Sequence, residues 1–182
     1  MIRVLKLFAV VLLLCSCGKS EEAKTSQLTI KTDDGNVVYT VETAQTDEEL
    51  EHGLMNRDSL PAKHGMIFDL SRHQSKLIAM WMKNTKIPLD MLFINPDGVI
   101  YWVKENAQPM SEQLIVPPAA ARAVVEINGS DIGKYNIKVG QKVEHAMFDK
   151  KASETAVSAE ENPAKDSESV KKTESPSSVD AQ

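Results

Sequence analysis

Short apolar runs punctuated by clusters of Gly, Pro, Asn and Asp dominate the middle of this 182-residue chain. Leu28-Thr29-Ile30 and Val37-Val38-Tyr39-Thr40-Val41 flank Asp33-Asp34-Gly35-Asn36, a turn-forming cluster, so the pair predicts an opening β-hairpin. Thr46 followed three residues later by Glu49 has the form of a capping box, and it opens a short predicted helix through Leu50, Leu54 and Met55. Gly53 inside that segment weakens it by about 1 kcal/mol relative to Ala. Met66-Ile67-Phe68 and Leu77 to Met82 suggest two further strands. Leu89 to Ile94 and Val99 to Val103 are separated by Asn95-Pro96-Asp97-Gly98, where Pro presets a turn and Gly tolerates positive φ, which predicts a second hairpin. Pro109, Pro117 and Pro118 interrupt regular structure. Ala123 to Ile127 then predict a strand, Asn128-Gly129 a turn, and Val139 to Val143 a closing strand around Gly140. Many short strands with one helix make the expected fold mainly β: a compact antiparallel β sandwich or barrel with one short helix, with α+β as the second choice.

The chain start has a different pattern. Arg3 and Lys6 precede an uncharged stretch from Leu7 to Leu14, and small Ser16 stands immediately before Cys17, the layout of a removable secretory signal. The apolar run lasts about eight to eleven residues, short of the roughly 20 that a membrane span needs. The order of residues resembles a bacterial lipoprotein lipobox. That resemblance implies cleavage between Ser16 and Cys17, with Cys17 carrying acyl chains that hold the protein on a bilayer. Gly18 after the cysteine implies, in the lipoprotein pattern, sorting to an outer membrane, so the expected location is the cell envelope, lipid-anchored and facing the periplasm. The expected organisation is a signal peptide over 1–16, a lipidated cysteine and linker over 17–27, a domain over 28–147, and a disordered acidic tail over 148–182. From Lys150 onward the chain is rich in Ser, Glu, Lys and Ala with three scattered valines, too little apolar surface to offset the entropy of ordering.

Charge and cysteine usage narrow the function. The formal net charge is -5, and loss of Arg3 and Lys6 with the signal removes two positive charges more, to about -7; a basic nucleic-acid footprint is absent. Cys15 and Cys17 are the only cysteines, so the domain holds no internal disulfide and no thiol nucleophile. It also has no Gly-x-Ser-x-Gly elbow and no phosphate-cradling glycine loop. No cofactor and no metal ligand are assigned. Met55, Met66, Met80, Met82 and Met91, with His52, His64 and His73 nearby in sequence, leave open a copper-handling module built on soft thioethers. Against it, methionine is more often a gap-filler in cores, and the histidines lack ligand spacing.

The segment from Met80 through Ile94, read with Gly53-Leu54-Met55, Arg57, Gly65-Met66, Phe68, Asp97-Gly98 and Arg122 to Gly129 around Glu126, resembles the signature of the DUF192 domain, an uncharacterised family. The resemblance spans about residues 28 to 147 and implies a small β-rich fold without supplying a reaction. Asn56 stands where the family usually has an aromatic residue, and Gln141 where an acidic one is common. Alternation along an extended chain places Met80 and Met82 on one face and Trp81 and Lys83 on the other. A ligand pocket would use Trp81 as a stacking wall, Lys83 and Arg57 toward an anionic group, and Asn84 and Asp90 as hydrogen-bonding groups. The structural alternative has Asp90 pairing with Lys83 or capping the bend at Pro88, and Trp81 filling the core. The expected function is non-catalytic binding of a small molecule or of an envelope protein. The alternative is an enzyme using Asp90 with a carboxylate such as Glu126 in acid-base chemistry.

Overall fold

The computed structural model describes residues 24–73 and 76–149; the expected signal, Cys17 and nearly all of the linker and of the acidic tail lie outside them. The chain divides into two units, Met1–His145 and Ala146–Gln182. Of the second, the described part is a single 3-10 turn, Ala146–Phe148.

The first unit is mainly β. Strands β1 (Thr25–Thr32) and β2 (Gly35–Ala44) form the first hairpin, closed where Thr32 pairs with Gly35. Helix α1 (Asp47–His52) leads to β3 (His64–Asp69); β4 (Leu89–Ile94) and β5 (Ile100–Ala107) form the second hairpin, and β6 (Ala123–Asn128), α2 (Asp131–Lys134) and β7 (Lys142–Glu144) follow. Seven strands lie in one sheet in the order β5-β4-β6-β3-β2-β1-β7. The sheet curls until its two edge strands meet. Val99, just before β5, bridges Lys142 of β7, and the Ile100 amide donates to the Gln141 carbonyl while the Gly140 amide donates to that of Ile100. Pairing is antiparallel except for β2 with β3, which are parallel; the chain between them must cross back along the sheet, and α1 lies in that crossover.

Thr46 caps α1 as its spacing predicts: its hydroxyl accepts from the Glu49 amide, and the Glu49 carboxylate accepts from the amides of Thr46 and Gln45. These amides, that of Thr46 foremost, hold the Glu49 carboxyl below its ordinary range. The helix stops earlier than expected. Gly53 terminates it at φ 49°, in the left-handed region that a glycine enters without penalty, so Leu54 and Met55 follow the helix instead of lying in it.

Two other expectations shift. Leu77 to Met82 do not form a strand; Met80 makes one bridge to Ile115 and Met82 donates to the Ser111 carbonyl. The partner segment contains Pro109, Pro117 and Pro118, which lack the amides to extend a ladder. The closing strand is Lys142–Glu144 rather than Val139 to Val143, because Gly140 takes φ 93° and breaks the extended run. A second short helix, α2, was not anticipated.

Both faces of the sheet are covered. Inside the curl lie Leu28, Ile30, Tyr39, Val41, Ile67, Leu92, Val125 and Ile127, each fully buried. On the outer face of β3, β4 and β6, Met66, Phe68, Leu89, Met91, Phe93 and Val124 build a second core with Leu54, Leu60, Met80 and Met82 from the covering loops. Burial on both sides explains why β4 reads as an unbroken apolar run apart from Asp90. Gly65 is required where β3 approaches β6, since a methyl group there would lie 2.4 Å from the Glu126 carbonyl oxygen.

Candidate functional site

The outer core opens into a groove of about 280 Å³ between α1 and the chain around Met80. Its walls are apolar: Leu50 from α1, Phe68 and Leu70 at the end of β3, and Ile78, Met80 and Trp81 from the covering loop. Asp47, Glu51 and His73 add polar groups, His73 Nε2 lying 3.2 Å from Asp47 Oδ1. The positions follow from local structure. Leu50 points from the inward side of a helix whose other residues are exposed, and Met80 and Trp81 alternate across an extended segment held by the Met80–Ile115 bridge.

Of the residues anticipated from sequence, Trp81 and Lys83 come together: the Lys83 ammonium sits 4.8 Å from the centre of the half-buried Trp81 ring, a cation-π contact. Arg57 is engaged elsewhere. Its two terminal nitrogens lie 2.5 and 2.6 Å from the two carboxylate oxygens of Glu42, a fork-to-fork ion pair that raises the guanidinium pKa through that hydrogen bonding. Asn84 is exposed at φ 56°, and its carbonyl accepts from the Asn56 amide, so it shapes the turn that brings the Met55 and Thr85 loops together. Lys86, beyond it, pairs with Asp58 at the surface.

Asp90 faces away from the groove. It is fully buried on the inner face, where one oxygen accepts from the Asn106 amide at 2.7 Å and the other from the Ile132 amide at 2.8 Å. It therefore ties β5 and the first turn of α2 to β4, and it neither pairs with Lys83 nor caps the Pro88 bend. Nearby, the Tyr39 hydroxyl donates to buried Asp131 at 3.0 Å; burial first, then the Asp131 charge, raises the phenol far above its ordinary value. Glu126 points to the other side of the sheet. In register it lies opposite Met66 on β3 and Met91 on β4, and burial pushes its carboxyl up to about 8. Asp90 and Glu126 consequently share no cleft.

A different carboxylate supports the groove from below. Asp69, at the end of β3, holds Arg122 at 2.5 Å and accepts from the Ser71 amide at 2.9 Å. Burial pulls its pKa upward, but the Ser71 and Arg122 hydrogen bonds outweigh burial and hold it below the usual carboxylate range. The bond to Ser71 fixes the start of the 3-10 turn Ser71–His73 that delivers His73 to the groove. Among the described residues, no group of three His, Cys, Asp or Glu side chains is placed to hold a metal ion, and no helix is long and apolar enough to cross a membrane.

Of the groove residues, sequence singled out Trp81 for a ligand pocket and Met80 and His73 only for the copper alternative; the groove itself was not anticipated. Leu50, Phe68, Leu70 and Ile78 read in sequence as ordinary core positions, and only the approach of α1 to the covering loop leaves space between them.

Three comparisons bear on these features. The model of the DUF192 family, described as uncharacterized ACR, matches residues 28–145. A crystal structure of a protein of unknown function from Novosphingobium aromaticivorans is similar at 33% identity and a TM-score of 0.66, covering 70% of this chain and 90% of that one. A crystal structure from Sinorhizobium meliloti, provisionally named a transcription regulator, is similar at 35% identity and a TM-score of 0.62, covering 67% of this chain and 94% of that one. The search of curated proteins finds no match.

Proposed function

The chain belongs to the DUF192 family, and we propose that it is an exported lipoprotein, anchored in the cell envelope through acylated Cys17, whose domain binds a small amphipathic molecule without transforming it. The observation that carries this reading is the groove beside Trp81. Its volume of about 280 Å³ is just below the range of drug-sized ligand pockets, which suits a small molecule. An aromatic wall with aliphatic sides suits a flat apolar body, while Asp47 and Glu51 suit a hydrogen-bond-donating or cationic end. A role in transcription, by analogy with the provisional name of the Sinorhizobium protein, has less support, because this chain carries a net charge of -5. The twofold occupation of Asp90 by backbone amides and the opposite orientation of Glu126 argue against acid-base catalysis by that pair.

Binding is tested with the neutral fluorescent amine N-phenyl-1-naphthylamine. The full-length protein should enhance its emission saturably, and Ala79→Trp, a substitution at an exposed residue that lines the groove and would fill it, should abolish the enhancement while leaving thermal unfolding unchanged. No saturable enhancement, or equal enhancement by the filled variant, would rule out the groove. Anchoring is tested separately by incorporation of labelled palmitate, expected in the native chain and lost in Cys17→Ala.

A further inference from the structure

Glu126 poses a problem that the groove does not solve. It is 4% exposed, and its carboxyl receives no hydrogen bond and faces no opposite charge among the described residues; burial alone accounts for its raised pKa. An unpaired carboxyl sealed in an apolar core is costly. Yet none of the described side-chain oxygens is both sealed and unpartnered, so the residual exposure of Glu126 lies at its carboxyl oxygens.

What fits there follows from the surrounding residues. On the same face of the sheet, Met66 and Met91 stand directly opposite Glu126 on the two neighbouring strands, a relationship that sets Cβ atoms about 4.5–5.5 Å apart. Gly53 lies above: a methyl group added there would come within 4.0 Å of Glu126 Oε2 and 3.1 Å of the Phe68 ring. Packing this close leaves no room for an organic ligand, so the candidate is a single ion. The available donors are one carboxylate and two flexible thioethers. Hard cations such as Ca²⁺ and Mg²⁺ need shells of six or more oxygens, whereas thioethers select soft ions.

We propose that Glu126, Met66 and Met91 form a binding site for one soft monovalent cation of the Cu(I) class. The Glu126 carboxylate supplies the anionic donor, and the ion binds with no change of oxidation state. The thioethers complete the coordination. This site is separate from the groove and does not depend on it.

The test uses the full-length chain with Cys15→Ser and Cys17→Ser, so that no thiol competes, titrated with Ag(I) as a redox-stable probe and with Cu(I) against bicinchoninate. One equivalent should bind. Affinity should fall at least tenfold in Met66→Leu/Met91→Leu, which preserves core volume, and should be unchanged in Met82→Leu. Glu126→Gln, which removes the anionic donor while keeping the side-chain volume, should likewise lower affinity at least tenfold. Absence of uptake, uptake unaltered by the double leucine variant, or uptake unaltered by Glu126→Gln would each overturn the proposal.

Discussion

Asp90 and Glu126 sit on adjacent, hydrogen-bonded strands but face opposite sides of the sheet. Glu126 pairs in register with Met91, the residue after Asp90, and Asp90 pairs with Ile127. Because side chains alternate along a strand, a one-residue offset separates two buried acids into different environments. Asp90 enters a site prepared with two backbone donors; Glu126 enters a core with none.

The contrast makes stability depend on pH through Glu126. Burial pushes its pKa to about 8 in the folded protein against 4.5 for an ordinary glutamate, so the folded state holds a proton that the unfolded chain gives up. Stability is therefore greatest below about pH 4.5, declines as pH rises toward 8, and levels off above it, a total on the order of 3 to 5 kcal/mol. Urea unfolding in metal-free buffer at pH 5, 7 and 9 should show that decline in the native chain and a much shallower one in Glu126→Gln. Parallel pH profiles for the two proteins would remove the account.

Asp90→Ala should destabilise by about 3 kcal/mol, since it leaves the Asn106 and Ile132 amides without their acceptor in a buried setting. Dye binding in the groove should persist at temperatures where the variant remains folded. A variant that is stable but no longer binds would show that Asp90 serves the groove directly.

Gly53→Ala combines a left-handed backbone with a methyl group 3.1 Å from the Phe68 ring, and we expect a loss of about 1–2 kcal/mol. Gly133→Ala, where a methyl group meets nothing within 4 Å, should be neutral or slightly stabilising. Comparable denaturation midpoints for both variants would contradict the packing described around Gly53.

The Arg57–Glu42 pair should show a coupling of about 1 kcal/mol in a double-mutant cycle with Arg57→Ala and Glu42→Gln, the upper range for partly exposed ion pairs. Arg57→Lys should recover little of it, because an ammonium cannot engage both carboxylate oxygens in the same plane. Full recovery by lysine would mean that charge alone, without the fork geometry, holds the loop.

Much of the local structure was legible from the chain. The Thr46–Glu49 cap, both hairpin turns and the strands around Ile67, Leu92 and Val125 depend on interactions within a few residues, so spacing and residue type suffice to announce them. So does the alternation that buries Met80 and Met82 and leaves Trp81 beside Lys83, even where no strand forms. The outcome at Gly53 was partly legible too: glycine signalled weakness in the helix, but only the folded chain shows that it takes a positive φ there and ends the helix.

Tertiary structure decided the rest, because pairing between distant segments sets which face each residue takes. Nothing near Thr40 or His64 announces that β2 and β3 run parallel, and nothing near Val99 announces its bridge to Lys142, which brings the sheet edges together. Asp90 and Glu126 look equivalent as isolated acids in apolar runs. Their fates diverge through the register of β4 with β6, fixed by many simultaneous contacts. The chain alone determined a mainly β domain and its local turns; the fold determined that one acid became a tie between elements and the other an unpaired carboxyl between two methionines.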